Sequence, residues 1–292
     1  MRRPIILITP GDPAGIGPEI IQKALASIDL PQHCDYELLP YASGSTPGKP
    51  DKNSARIALD CLETAALRLK EGSADAVVTG PVCKESLQAI GFPYPGQTEF
   101  FCERLAAPDV TMCLSGDHLT VALVTIHIPL ADVARNLNIP SIVSSGIHLA
   151  EFMAKKLARA PRIAVCGLNP HAGENGAFGH EEIEIIAPAI GELNARGIGD
   201  FSGPHVPDAI FRDAVQGRYD AVLCMYHDQG LIPLKLIDFD NAVNITLGLP
   251  RPRLSPDHGT AFGIAGKDIA DHSSLLRALQ RAAEMVSTSR NA

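Results

Sequence analysis

Strand-length apolar runs recur along the chain, and each stops at a loop rich in Gly, Pro or polar residues before a helical pattern begins. Pro4–Thr9, Asp75–Gly80, Arg162–Leu168, Ala221–Tyr226 and residues 242–247 are such runs. Strands that are apolar along their whole length are buried on both faces, which requires helices on either side of a mostly parallel sheet. Val110–Leu114, the turn Ser115-Gly-Asp117 and Leu119–Ile126 interrupt the alternation and read as an antiparallel hairpin. The expected fold class is therefore α/β with three layers.

Helices are expected between the strands. Pro18 suits a first helical position with Glu19 behind it. From Ser54, read as an N-cap, Ala58, Leu62, Ala65 and Leu69 keep one face until Gly72 stops the helix. Further helices are expected near 141–158, 180–196 and 273–288, and residues 41–53 are turn-formers of a surface connection. Gly217–Leu223 echoes Gly72–Val78, as repeated helix–strand units would.

At 292 residues the chain exceeds the usual single core, so two lobes or one large α/β domain is expected. A formal charge of −8 without clustered Lys and Arg excludes a nucleic-acid binder. No eighteen apolar residues run together, so no membrane span is expected, and Ile5–Ile8 is too short for a signal core. Seven cysteines, scattered and without a C-x-x-C pair, read as reduced core thiols, and a cytoplasmic location is expected.

Three histidines, His127, His171 and His227, stand where an apolar run ends and loop chemistry begins. Open α/β sheets bind ligands at the carboxyl ends of their strands, so the three imidazoles are placed to converge on one metal or substrate. An all-nitrogen site with open positions suits Zn²⁺ or another divalent ion that polarises a substrate oxygen. The loop Gly11-x-x-x-Gly15-x-Gly17 reads either as a phosphate cradle or as a tight structural turn. Gly96-Gln-Thr-Glu99 reads either as an anion-binding helix start or as an N-cap by Thr98. Lys235, Arg251 and Arg253 are cations in apolar stretches, and Asp208 is a carboxylate near the end of a loop. Arg253, among Pro250, Pro252 and Pro256, reads either as an oxyanion clamp or as half of an internal ion pair. Asp257-His-Gly-Thr-Ala261, followed by Gly263-Ile-Ala-Gly-Lys267, has small residues that admit a flat heteroaromatic group close to the backbone, with His258 to stack or donate.

Eight segments in order resemble the 4-hydroxythreonine-4-phosphate dehydrogenase family of pyridoxal phosphate biosynthesis. They are Thr9–Glu19, Thr79-Gly-Pro-Val82 with Lys84, Thr98–Phe101, His127–Leu130, Gly167–Glu174, Met225–Leu231, Asn244–Pro250 and Asp257–Ala261. The resemblance implies a two-lobed α/β/α fold like that of isocitrate and isopropylmalate dehydrogenases, not a Rossmann fold. Its lobes would be residues 1–95 with 243–292, for the dinucleotide, and 96–242, for substrate, metal and dimerisation. It implies a homodimer with the active site at the interface, NAD or NADP near Asp257, His258, Gly259, Thr260 and Ala261, and one divalent metal (Zn, Mg or Co) on His127, His171 and His227. Gln97, Thr98, Lys235, Asn244 and Arg253 would bind substrate, and Lys235 or Asp208 would be the catalytic base. The implied reaction oxidises the secondary hydroxyl of 4-phosphooxy-L-threonine to a 3-keto acid that decarboxylates to 3-amino-2-oxopropyl phosphate.

Two features depart from the family pattern. Gln97 stands where the family has His, and the segment before the helix at Ser54 is short. An amide carries no positive charge for an anion. A paralogue acting on 4-phospho-D-threonate, 4-phospho-D-erythronate or a cis-dihydrodiol acid is the alternative within the fold. A metal-dependent hydrolase or lyase without dinucleotide is the alternative from another class.

Overall fold

The computed structural model describes residues 2–42 and 44–291; Met1, Ser43 and Ala292 lie outside it, Ser43 within the connection expected over 41–53. The strands are β1 (Ile5–Thr9), β2 (Asp35–Leu38), β3 (Ala76–Thr79), β4 (Thr111–Ser115), β5 (Thr120–Thr125), β6 (Arg162–Cys166), β7 (Asp200–His205), β8 (Ala221–Tyr226), β9 (Val243–Leu247) and β10 (Arg253–Pro256). The helices are α1 (Gly17–Leu25), α2 (Lys52–Lys70), α3 (Lys84–Gln88), α4 (Gln97–Arg104), α5 (Val133–Asn136), α6 (Ile139–Leu157), α7 (Ala187–Ala195), α8 (Pro207–Val215), α9 (His227–Asp238) and α10 (Ser273–Asn291).

The chain divides into two compact units, Met1–Pro108 with Val243–Ala292, and Asp109–Ala242. In the first, the strand order is β2-β1-β3-β10-β9, parallel except for the β10–β9 pair. Leu7 and Val77 face a cluster built with Leu62, Ala65 and Leu69 of α2 and Phe100 and Phe101 of α4. Helices α1 and α10 complete the unit, with α10 packed on β3 and β10. The division falls after α4, whereas the expected lobe boundary followed residue 95; Phe100 and Phe101 are fully buried in the first unit's core and carry the helix with them.

In the second unit the order is β4-β5-β8-β6-β7, with only the β4–β5 hairpin antiparallel. Leu123, Ala164, Val222 and Cys224 pack with Ile210 and Ala214 of α8 and Leu231 and Leu234 of α9, while α6 contacts β4, β5 and β8 and pairs with α7. Alternating strand residues thus feed two helical layers, which is the three-layer expectation.

The echo between 72–78 and 217–223 is one device used twice. Gly72 and Gly217 end helices with φ of 72° and 79°, a left-handed conformation that glycine adopts without strain. Three residues on, Asp75 Oδ2 accepts from Ile5 N at 2.9 Å, and Asp220 Oδ2 accepts from Arg162 N at 2.7 Å. Each carboxylate thereby holds the first amide of the neighbouring strand. Burial would raise the Asp220 carboxyl, but hydrogen bonds from Arg159, Arg162 and the Arg162 amide outweigh it and hold it well below the usual carboxylate range.

Several local expectations are corrected. Helix α2 is capped by Asp51, whose carboxylate accepts from Ser54 N at 2.7 Å while Ser54 Oγ accepts from Asp51 N, so Ser54 is the third helical residue and not the cap. Helix α4 is capped by Gly96, not Thr98. Arg253 starts a buried strand rather than lying in a stiffened loop, and Asp208 sits exposed in the first turn of α8. His227 is the first residue of a helix, not of a loop. A Cβ at Gly230 would meet Leu123 Cδ2 at 2.9 Å and Cys224 Sγ at 3.0 Å, so this glycine lets α9 lie close on the sheet instead of marking a loop.

Because the Asp220 carboxyl is depressed in the folded state, its contribution is present above the ordinary carboxylate pKa and is lost as pH falls through and below that range. Asp220→Ala should lower the unfolding free energy by about 2 kcal/mol at pH 7, a value discounted for the exposed arginines, with a smaller loss at low pH, measured by urea titration.

Candidate active site

The second unit holds the histidines. Thr125 pairs with Tyr226 on adjacent parallel strands, so the residues just beyond both strands leave the sheet side by side. The His127 and His227 ring centroids are 5.7 Å apart. Two imidazoles bonded to one tetrahedral ion at about 2.1 Å hold their centroids roughly 5–6 Å apart, so this pair fits as two ligands of one ion. Asp228 Oδ1 lies 2.7 Å from His227 Nδ1, an arrangement that orients the ring and directs Nε2 outward. His171, exposed, packs against Phe178 at 6.2 Å between centroids. Among the described residues no three His, Cys, Asp or Glu side chains are grouped to hold a metal ion. The structure therefore brings His127 and His227 together and does not add His171 to them within one chain.

The histidine loops carry unusual backbone. His127 has φ 44°, and His171–Asn175 run at φ 53°, 51°, 76°, 40° and 55°, a left-handed turn in which only Gly173 is a glycine. Each L-residue there costs roughly 1–2 kcal/mol. Buried Gln229 ties the neighbouring strand ends, with Oε1 accepting from Met225 N and Nε2 donating to Gly167 O, both at 2.7 Å. At the far end of α9, buried Asp238 accepts from the His118 and Leu119 amides at 2.9 Å and anchors the helix to the β4–β5 turn. Lys235, half-buried on α9, is eight residues from His227, or about 12 Å along a helix axis.

The first unit holds an uncompensated cation. Arg253 is 3% exposed, and its guanidinium donates to Thr79 Oγ1 at 2.7 Å, Gln97 Oε1 at 3.1 Å and Thr246 Oγ1 at 3.3 Å. Every one of these acceptors is neutral, and no carboxylate lies within ion-pair distance of Arg253 among the described residues. Burial pushes the guanidinium down to about 10, with only the more distant charge of Glu99 opposing. Arg253 Nε and Asn244 Oδ1 are buried without a hydrogen-bond partner, and Thr98 Oγ1 lies 3.5 Å from Thr246 Oγ1. The internal ion pair is thus replaced by a neutral cradle, the arrangement expected of a cation that waits for an external anion. Thr79 and Thr246 lie in two of the segments that carry the family resemblance, but the sequence assigned neither a role; their place beside Arg253 comes from the structure.

The glycine loop before α1 is a structural turn. Its amides are already bonded: Asp12 N to Pro81 O, Ala14 N to Asp12 Oδ1, Gly15 N to Asp12 O and Ile16 N to Thr260 O, all at 2.9–3.0 Å. A Cβ at Gly17 would lie 2.0 Å from Pro10 O, and one at Gly15 would lie 2.8 Å from Thr260 O. The loop therefore packs directly on the Asp257–Ala261 segment. There His258 Nδ1 lies 3.0 Å from Gly259 O, its Nε2 is buried without a partner, and Gly259 has open space where a Cβ would stand. Beside the loop a pocket of about 480 Å³ opens, lined by Pro13, Gly15, Gln22, Tyr41, Pro47 and Gly266 among others.

Residues 17–282 match the model of the pyridoxal phosphate biosynthetic protein PdxA. The chain belongs to the PdxA family. A 4-hydroxythreonine-4-phosphate dehydrogenase of Zymomonas mobilis is 42% identical, over 95% of this chain and 94% of its own. The crystal structure of 4-hydroxythreonine-4-phosphate dehydrogenase from Klebsiella pneumoniae superposes with a TM-score of 0.85 at 36% identity, covering 97% of this chain and 99% of that one. Isocitrate dehydrogenase from Methylococcus capsulatus, at 17% identity and a TM-score of 0.53 over 97% of this chain and 84% of its own, shares the fold.

Within this PdxA chain Gln97 has a definite place. Its carbonyl oxygen accepts from Arg253, so the amide helps hold the guanidinium without neutralising it. Arg253→Met should leave the apo melting temperature unchanged or raised, since a desolvated charge is removed, and should abolish the thermal shift given by inorganic phosphate. In the unsubstituted chain that shift should persist from pH 7 to 9, because the guanidinium keeps its charge there even with burial lowering its pKa.

Proposed function

We propose that this chain is a divalent-metal- and NAD(P)-dependent dehydrogenase that oxidises the secondary hydroxyl of 4-phosphooxy-L-threonine, yielding a 3-keto acid that decarboxylates to 3-amino-2-oxopropyl phosphate. The observation that carries the reading, in a chain of this family, is the His127–His227 pair at the ends of adjacent strands. His127, His171 and His227 hold the metal, and imidazole donors favour Zn²⁺ or Co²⁺ over Mg²⁺, which prefers oxygen. A bound ion supplies Lewis-acid polarisation of the substrate hydroxyl, and a bound nicotinamide accepts the hydride.

The protein's own groups do the rest. Arg253 binds the anionic end of the substrate through its charge, with Gln97, Thr98 and Asn244 supplying neutral hydrogen bonds. Lys235 and Asp208 are the candidate proton acceptors for the hydroxyl. Asp257, His258, Gly259, Thr260 and Ala261 bind the cofactor, for which the unpartnered His258 Nε2 and the open face of Gly259 provide a donor and an approach.

A second copy of the chain completes the site. Helix α9, which begins at His227, turns Ile232, Leu236 and Phe239 outward at 68%, 86% and 69% exposure, an apolar stripe at helical spacing. Leu236→Arg should shift the native mass from dimer to monomer in light scattering and lower bound metal together with it. A purified enzyme that remains dimeric with this substitution refutes that interface.

The substrate is tested by comparing kcat/KM for 4-phosphooxy-L-threonine with those for 4-phospho-D-threonate and 4-phospho-D-erythronate under NAD and NADP. Preference for the amine-bearing substrate is expected; preference for either acid that lacks the amine overturns the assignment. His127→Ala and His227→Ala should each lose bound metal and turnover and retain the melting temperature within a few degrees.

A further inference from the structure

We propose that Glu182 is a positioning residue for His171: its buried carboxylate holds the left-handed turn that presents this imidazole. The inference rests on the reading of His171 as a metal ligand.

The turn is not sustained by its own sequence. His171, Ala172, Glu174 and Asn175 are L-residues at positive φ, where the side chain crowds the following carbonyl and only glycine is free of strain. Bonds within the loop, Ala172 N to Asn169 O, Ala177 N to Glu174 O and Phe178 N to Gly173 O, close it but leave its entry to be fixed from outside.

Glu182 supplies that fixation. It is 3% exposed, and one carboxylate oxygen accepts from Leu168 N at 2.8 Å and Asn169 N at 2.7 Å, the two amides that lead into the turn. The other oxygen accepts from Asn169 Nδ2 at 3.0 Å. The backbone wraps around the carboxylate closely enough that a Cβ at Gly173 would lie 2.6 Å from Oε2, and one at Gly167 would lie 3.1 Å from Oε1. At Gly173 the carboxylate leaves no room for a side chain as placed, whereas at Gly167 Ala172 stands slightly nearer, at 3.0 Å. Asn169 is gripped from a second side, its Nδ2 donating to Glu181 Oε2 at 2.7 Å.

The element that carries Glu182 is itself irregular. Glu182–Ile186 is a π-helical turn leading into α7, a wide turn that proteins retain mostly at functional sites. A buried carboxylate held only by neutral donors, next to a strained turn, is an expensive way to join a strand to a helix. It is accounted for if the turn must present one side chain in one geometry. Both oxygens are engaged by backbone and amide donors, so Glu182 acts through the loop and not as a ligand.

The test is Co²⁺ binding to the metal-free full-length protein, followed by visible absorption, with apo melting temperature measured in parallel. Glu182→Gln keeps one acceptor oxygen and the side-chain volume; it should weaken Co²⁺ binding 10- to 100-fold with the apo melting temperature close to the unsubstituted value. In a His171→Ala background the same substitution should produce no further loss, which a general destabilisation would not predict. Should Glu182→Gln not fold, Asn169→Ala removes one donor and leaves the carboxylate in place, and a several-fold loss that again vanishes in the His171→Ala background is expected. Undiminished Co²⁺ affinity in Glu182→Gln, or in Asn169→Ala if only that variant folds, with a weakened His171→Ala overturns the positioning role. Undiminished affinity in His171→Ala overturns the ligand reading on which it rests.

Discussion

The register of the parallel strands governs everything that happens at their carboxyl ends, and in both units it is pinned at the opposite end by an aspartate. Asp75 holds the first amide of β1, and Asp220 holds the first amide of β6. Strand side chains alternate between faces, so a slip of one residue would exchange the side chains packed beneath the two helical layers and displace every loop. Asp75 sets β1 against β3, where Thr9 stands beside Thr79, and Asp220 sets β6 against β8, whose other neighbour β5 places Thr125 beside Tyr226. The glycine loop and the His127–His227 pair follow from those two alignments.

Much of the backbone strain lies beyond those ends. Left-handed backbone at non-glycine residues occurs at His127, within the turn from His171 to Asn175 and at Ala261 in the segment proposed for the cofactor, as well as at Ala106, Ala158 and Asp268 elsewhere. Such conformations persist only where surrounding structure over-determines them. Both units also bury charged groups among neutral partners, among them Arg253 beside two threonines and an amide, and Glu182 beside two backbone amides and Asn169. The first arrangement leaves a positive charge without a protein counter-ion among the described residues, and the second ties the entry of a loop.

Periodicity made the layered fold readable, because apolar strands and amphipathic helices bury their faces by rules that depend on local spacing alone. Local signals misled where one residue type serves two purposes. Glycine at 230 marks a close helix–sheet approach and not a turn, and Ser54 completes a capping box begun by Asp51. Prolines around Arg253 concealed a short buried strand, since β10 places Pro256 at its last position, where no further amide is needed. Of the candidate site, the histidines stood out by their place at strand ends and Arg253 by its apolar surroundings. Thr79 and Gln229 did not, because they act on residues 174 and 62 positions away, and Thr246 and Glu182 did not, because their partners, though nearer in the chain, are met only across a turn.

The sequence by itself determined the alternation of elements, the strand ends at which chemistry collects, and the family, since those depend on residue order and short-range spacing. Only the tertiary structure decided that, among the described residues, two imidazoles and not three stand together in one chain and Arg253 has no counter-ion, and that the first glycine loop is a packed turn with four of its amides already bonded. These are facts about which groups meet across tens or hundreds of residues. Hydrogen bonds and charges act over a few ångströms, so their pairing is settled by packing, which no local pattern encodes.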